Sequence, residues 1–202
     1  MSAATINPAT GGPLGQDHYR ELELANQRAK KVRKAANVAG FNGWVTAVFA
    51  VFSVPFALFS IAGFLVTVGL SVVAYNEFQG RQRLLRFDRT STSLLGWNQI
   101  GFLTLIILYS LWMLFAGLTS GGPFAAELEA KPELRAALGE MDQFDYIYKI
   151  LIVAVYGTVI LLSAIFQGMN AVYYFTRRKH LEGYLRDTAK WVLDLQRTTT
   201  PA

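Results

Sequence analysis

From Val38 to Tyr75 the chain runs for 38 residues without one charged side chain. Two further apolar stretches follow, Leu94 to Phe124 and Ile150 to Val172. A run of about 18 or more such residues reads as a membrane span rather than a soluble core helix. The expected fold is therefore an all-α integral membrane protein, a four-helix transmembrane bundle with amphipathic helices at both ends. Hydrophobic residues at 52% and charged residues at 16% fit a small bundle with short polar extensions. In that setting the net charge of +5 concerns the choice of membrane face, and nucleic acid is not an expected partner.

The span count follows from length and charge. The bilayer core is about 30 Å thick, and a helix needs roughly 20 residues to cross it. Residues 38–75 as one helix would reach about 57 Å, too long for one crossing and just long enough for two. The intervening turn is expected between Ser53 and Gly63, either at Ser53-Val54-Pro55 or at Ser60-Ile61-Ala62-Gly63. Sixteen of the 19 basic residues lie in three segments: before the first run, between the first and second, and in the tail. The positive-inside rule puts all three in the cytoplasm, which only four spans allow. Those spans are expected at 37–55, 58–78, 95–117 and 146–170, in a membrane domain of 38–175, with both termini cytoplasmic and the bacterial cytoplasmic membrane as location. The loop 118–145 carries Glu127, Glu129, Glu133, Glu140, Asp142 and Asp145 against Lys131 and Arg135, which marks it as external. Within it, Pro132-Glu133-Leu134 reads as the start of a short helix to Leu138. Trp44, Tyr75, Trp97, Trp112, Tyr146, Tyr148, Tyr173 and Tyr174 fall near the predicted interfaces as aromatic anchors.

Residues 1–15 read as a flexible tail without the basic-then-apolar order of a cleaved signal peptide. From 16 to 37 an amphipathic helix is expected, because His18, Leu22, Ala25, Ala29, Val32, Ala36 and Ala39 recur at alternating spacings of four and three. In the tail, 176–202, Leu181, Leu185, Thr188, Val192 and Leu195 repeat that pattern. The two segments run in opposite senses relative to the membrane, so they are expected to pair antiparallel as a stalk. A seam for another subunit and helices lying on the lipid surface are the competing readings. Inside the membrane, close backbone approach holds helices together. Ala35, Ala39, Gly43 and Ala47 offer it on span one, Gly63, Thr67 and Ser71 on span two, and Ala164 and Gly168 on span four. A weak internal duplication is also visible, with Phe78-Gln79-Gly80 matching Phe166-Gln167-Gly168 and Gly43-Trp44 matching Gly96-Trp97.

Two constellations are candidates for function. Asn42, Asn76, Glu77, Gln79, Asn98, Gln99, Gln167 and Asn170 would form one polar layer near the cytoplasmic interface. Its functional reading is an ion, proton or headgroup site; its structural reading is interhelical amide glue, with Glu77 paired to Arg81 one turn on. The second is a basic collar of Lys30, Lys31, Arg33, Lys34, Arg81, Arg83, Arg86, Arg177, Arg178 and Lys179, which orients the chain and would attract anionic lipid. Cysteine is absent, which rules out disulfides, thiolate nucleophiles and thiolate metal sites. The two histidines, His18 and His180, lie outside the apolar runs, and no cofactor or metal is expected. A membrane enzyme needs several ionisable groups converging at one depth, which Glu77 alone does not supply.

The stretch Asn76-Glu77-Phe78-Gln79-Gly80-Arg81, with Leu84-Leu85-Arg86-Phe87-Asp88 and Leu94-Leu95-Gly96-Trp97-Asn98-Gln99, resembles a pattern in small bacterial four-span membrane proteins of unknown function. The resemblance covers about 45 residues and implies four spans but no activity or site. The expected role is non-enzymatic: a structural or accessory subunit acting on other membrane proteins or as a homo-oligomer. A small channel or transporter component and an anionic-lipid-organising protein are the alternatives.

Overall fold

The computed structural model describes residues 15–119 and 142–199, and these are helical apart from short connections. The elements are α1 (Gln16–Phe59), α2 (Ile61–Leu85), α3 (Ser91–Thr119), α4 (Asp142–Asp187) and α5 (Lys190–Thr199). The first four are each long and apolar enough to cross a bilayer. The readings of the N-terminal tail, most of the acidic loop and its short helix fall outside the described residues. The loop is shorter than 118–145, because α3 continues to Thr119 and α4 already begins at Asp142.

Two helices are much longer than a crossing needs. With 44 and 46 residues, α1 and α4 extend about 66 and 69 Å, more than twice the hydrocarbon thickness. The amphipathic segment 16–37 and span one are thus one unbroken helix, as are span four and the first part of the tail. A charged face in water and an apolar surface in lipid impose no break, because backbone hydrogen bonding is the same in both. Each of the four long helices packs on its sequence neighbour, α4 returns to α1, which closes a ring, and α5 lies against α1.

The turn between the first two spans is at Ser60. Its backbone is extended (φ −151°, ψ 144°), and its hydroxyl accepts from the Gly63 N–H at 2.9 Å, capping α2. Pro55 lies inside α1. Nearby, the Thr67 hydroxyl reaches across from α2 to the Ser53 carbonyl at 3.0 Å, so the partner helix supports the region the proline weakens.

Between α2 and α3 the chain reverses within five residues. The Asp88 N–H donates to the Arg83 carbonyl at 2.9 Å and the Phe87 N–H to that of Leu84 at 3.0 Å, the paired bonds of a Schellman C-cap. The left-handed position in that motif normally falls to glycine, yet here it is Phe87, at φ 56°. A bulky residue there is strained by on the order of 1–3 kcal/mol. Its ring compensates, since it is buried and stacked on Tyr184 at 4.4 Å.

That ring belongs to a core which no single span supplies. Ala25, Ala29, Val32, Ala35, Ala36 and Ala39 of α1 meet Leu84 and Phe87, Leu95 of α3, Leu181 and Tyr184 of α4, and Val192 and Leu193 of α5. The two amphipathic segments therefore do meet. The Trp191 indole N–H donates to Glu21 at 3.0 Å and its ring stands edge-on to His18 at 5.3 Å. The tail is not one helix, however. It breaks at Thr188 and Ala189, so α5 folds back and the phase shifts: Leu193 is buried while Leu195, which the continuous pattern placed in the seam, is exposed.

Small residues set the helix spacing within the ring. A methyl group on Gly43 would stand 3.2 Å from the Glu77 Cβ, and one on Gly80 would stand 2.4 and 2.5 Å from Leu95 Cδ2 and Cγ. Leu95 is fully buried and cannot swing aside. Gly80→Ala is therefore expected to destabilise by about 1–3 kcal/mol through overpacking. Gly157→Ala, which would meet nothing within 4 Å, is expected to cost nothing. Helicity followed through a denaturing-detergent titration separates the two. The duplication has structural content, but in a different register. Gly43 and Trp44 pack on Phe78, with rings 5.6 Å apart at 80°, and Gly96 and Trp97 pack on Phe175 at 6.1 Å and 81°. Phe78 thus corresponds to Phe175, and Phe166 is exposed.

Candidate functional site

The polar layer condenses around one carboxyl group. Glu77 sits on the inner face of α2 with no exposed surface. Its Oε1 accepts from Asn98 Nδ2 at 2.9 Å and from Gln99 Nε2 at 2.7 Å, both on α3. Its Oε2 accepts from the Tyr174 hydroxyl of α4 at 3.2 Å. That hydroxyl in turn accepts from Asn42 Nδ2 of α1, also at 3.2 Å. Asn76 Nδ2 donates to Asn98 Oδ1 at 3.1 Å, and Asn98 Nδ2 also reaches the Val73 carbonyl at 3.0 Å. One carboxyl group is thereby joined to all four membrane-length helices.

Local sequence explains this convergence. Asn98 and Gln99 are adjacent in the third turn of α3, about 100° apart around the axis. They reach one acceptor because α3 passes close to α2, with Leu95 lodged against Gly80 one turn nearer the connection. Gly43 brings α1 equally close on the other side, within van der Waals reach of the Glu77 stem. An ionised carboxylate only accepts, through several lone pairs, and amide N–H groups and a phenol are donors that suit it. A charge-bearing acceptor with several donors is the arrangement that makes burial of such a group tolerable.

Of the eight residues expected in the layer, Asn42, Asn76, Glu77, Asn98 and Gln99 are brought together. Gln79 is half-buried and turned along its own helix, towards the Tyr75 hydroxyl and Arg83. Gln167 and Asn170 are half-buried on α4, apart from the hydrogen-bonded cluster. The Glu77–Arg81 pairing does not form. Arg81 instead lies across α1, where a methyl on Gly40 would meet its Cδ at 2.9 Å. The two residues are four apart, but Glu77 faces the ring's interior and Arg81 is exposed. Spacing alone did not decide which face each takes.

Tyr174 is the member the sequence reading missed. It was assigned to the interface as an anchor, yet it has no exposed surface. Tyr173 beside it is half-buried and carries the Arg177 guanidinium 4.3 Å above its ring. The available signal was the adjacency of two tyrosines, which must lie on different faces of a helix.

The collar is distributed around the same end of the molecule. Lys30, Lys31, Arg33, Lys34, Arg81, Arg86, Arg178 and Lys179 are exposed, and Arg83 and Arg177 are half-buried. Arg33 donates to Asn26 at 3.1 Å, and Arg178 pairs with Glu182 at 2.8 Å. Arg28, outside the expected set, donates to the Asp187 carbonyl where α4 ends, a favourable place for a cation. Comparison with protein-family models, with curated proteins and with solved structures finds no match to this chain.

Proposed function

We propose that this chain is a non-enzymatic multi-pass membrane protein, with both ends in the cytoplasm, that serves as an accessory subunit docking on other membrane proteins through its spans. The observation that carries this reading is an unused packing face on α4. Gly43, Gly80, Gly96 and Gly117 each lie against a side chain of another helix. On α4, by contrast, a methyl on Gly157 or Gly168 would meet nothing within 4 Å, and Ala164 is exposed. These three positions, seven and four residues apart, share one helix face. Ala164 and Gly168 lie in a shallow apolar groove bordered by Ile165, Met169, Val172 and Tyr173. Small residues that admit a neighbouring backbone are the usual means of helix association in lipid, where apolar area alone gives no preference for protein over acyl chains.

Glu77 supports the same reading. Its carboxyl oxygens are engaged by Asn98, Gln99 and Tyr174, so the cluster acts as the clasp that gives the docking face a fixed shape. The test is gentle extraction from the native membrane followed by mass analysis. A complex with another membrane protein is expected, and the double substitution Ala164→Leu with Gly168→Leu should dissociate it while leaving the chain's own unfolding unchanged. A lone homo-oligomer would favour the channel component instead.

A further inference from the structure

The collar is not uniform around the ring. At one point it opens into a groove of about 970 Å³ between α2 and α3, within the size range of ligand pockets. Three arginines from three different elements line its upper end: Arg83 from α2, Arg89 from the α2–α3 connection and Arg178 from α4. Ser93 and Trp97 of α3 are beside them. Below this come the side chains of Asn76 and Asn98, and beyond them an apolar stretch with Gly69 and Val72 on one wall and Gly101 and Leu105 on the other.

We propose that this groove is a binding site for one anionic glycerophospholipid, its phosphate among Arg83, Arg89 and Arg178 and an acyl chain along Gly101. Length is the first argument. From Arg83 to Gly69, and from Thr90 to Leu105, the groove follows 14 or 15 residues of helix, about 21–22 Å. Half of a bilayer that is about 40–45 Å thick with its headgroups is about the same. Polarity is the second argument. Charge is confined to the end where the chain leaves the apolar segment, as in a lipid, whereas a soluble anion would leave the lower half without an occupant. Chemistry is the third. Guanidinium groups bind phosphate oxygens through paired N–H donors. Arg178 shares its charge with Glu182, and Arg83 makes only a long contact of 3.4 Å to Gln79. Thr90 does not serve as a donor, because its hydroxyl is committed to Asp88 at 2.9 Å.

The lower half gives the decisive variant. Gly101 has nothing within 4 Å of the position a Cβ would take, so a side chain introduced by Gly101→Leu starts in open space and extends into the groove. The full-length chain, in mild detergent, is titrated with phosphatidylglycerol or phosphatidylcholine in mixed micelles, and retained lipid is counted by native mass spectrometry. One phosphatidylglycerol is expected to remain bound, with phosphatidylcholine at least tenfold weaker. Arg83→Ala with Arg89→Ala should weaken binding by more than about tenfold, given roughly 1 kcal/mol per basic residue. Gly101→Leu should weaken it by at least about threefold, because its side chain takes the space of the acyl chain and the close packing lost there is not regained elsewhere. Lys30→Ala with Lys34→Ala, an equal charge change elsewhere on the collar, should leave it unchanged. Equal losses from the two charge variants would overturn the proposal in favour of diffuse attraction. Binding that ignores Gly101→Leu and is displaced by glycerol phosphate would overturn it in favour of a phosphate-only site. A dimer that excludes lipid would assign the groove to a second copy.

Discussion

Replacing Glu77 by alanine is expected to loosen the membrane helices as a set, lowering stability by about 2–5 kcal/mol. The substitution leaves three groups facing an apolar void: Asn98 Nδ2, Gln99 Nε2 and the Tyr174 hydroxyl. A buried donor without a partner costs about 1–3 kcal/mol. In lipid the measured worth of interhelical hydrogen bonds averages nearer 0.6 kcal/mol, because the unfolded helices also find partners. Asn98 is the least affected, since it keeps the Val73 carbonyl. The side chains that lose most are therefore on α3 and α4, so these helices should separate from α2 first. Glu77→Gln should be much milder. Its amide oxygen accepts from Asn98 and Gln99 as before, and its NH₂ can donate to Tyr174 once the Asn42 amide turns over to accept the phenol proton. That rescue requires Asn42, so Glu77→Gln and Asn42→Ala should be non-additive. Unfolding in a denaturing-detergent titration, followed by helicity and by cross-linking between α2 and α4, reads both effects. If alanine and glutamine behave alike, the carboxyl group does not join the helices.

Much of this architecture was legible because bilayer physics restricts the options. Uncharged length foretold four helices long and apolar enough to cross a bilayer, and the spacing of Ala25, Ala29, Val32 and Ala36 foretold the buried face of the first helix. Five of the eight residues placed in the polar layer do cluster, because membrane depth can be read from distance to the ends of an apolar run. Rotation about the helix axis is harder to read. On a helix that is apolar all round, hydrophobic periodicity does not mark the inner face. That is why Tyr174 was assigned to the interface and Gln79 to the layer, and why Arg81 was paired with Glu77. The break at Thr188 was illegible for a different reason. Neither glycine nor proline marks it, and Val192 keeps the earlier pattern by itself. The fold-back is stabilised by tertiary contacts, the stack of Tyr184 on Phe87 and the reach of Trp191 to Glu21.

Those contacts make Tyr184 the other position where one change should have a large effect. Its side chain is 2% exposed, its ring is stacked on Phe87, and its hydroxyl donates to Gln196 of α5. Truncating a buried aromatic to alanine costs about 3–5 kcal/mol through lost burial and the cavity left behind. Here a further loss is expected, because the stack also compensates the left-handed backbone of Phe87. Without it, the α2–α3 connection should relax and α5 should detach from α1. The effect should remain local. Glu77 and its partners hydrogen-bond to one another across the four long helices, so those helices should stay assembled. Tyr184→Ala should therefore expose the tail after Asp187 to protease and speed amide exchange in α5 and residues 16–30, with helicity of the spans nearly intact. Tyr184→Phe keeps the stack and loses the bond to Gln196, and a cost of about 1 kcal/mol is expected. Phe87→Gly should cost less in the Tyr184→Ala background than in the native chain, because the ring it removes has already lost its stack while the strain at the turn is relieved in both. If the two changes are additive, the left-handed residue is not held by the stack, and the connection owes its shape to the Schellman bonds alone.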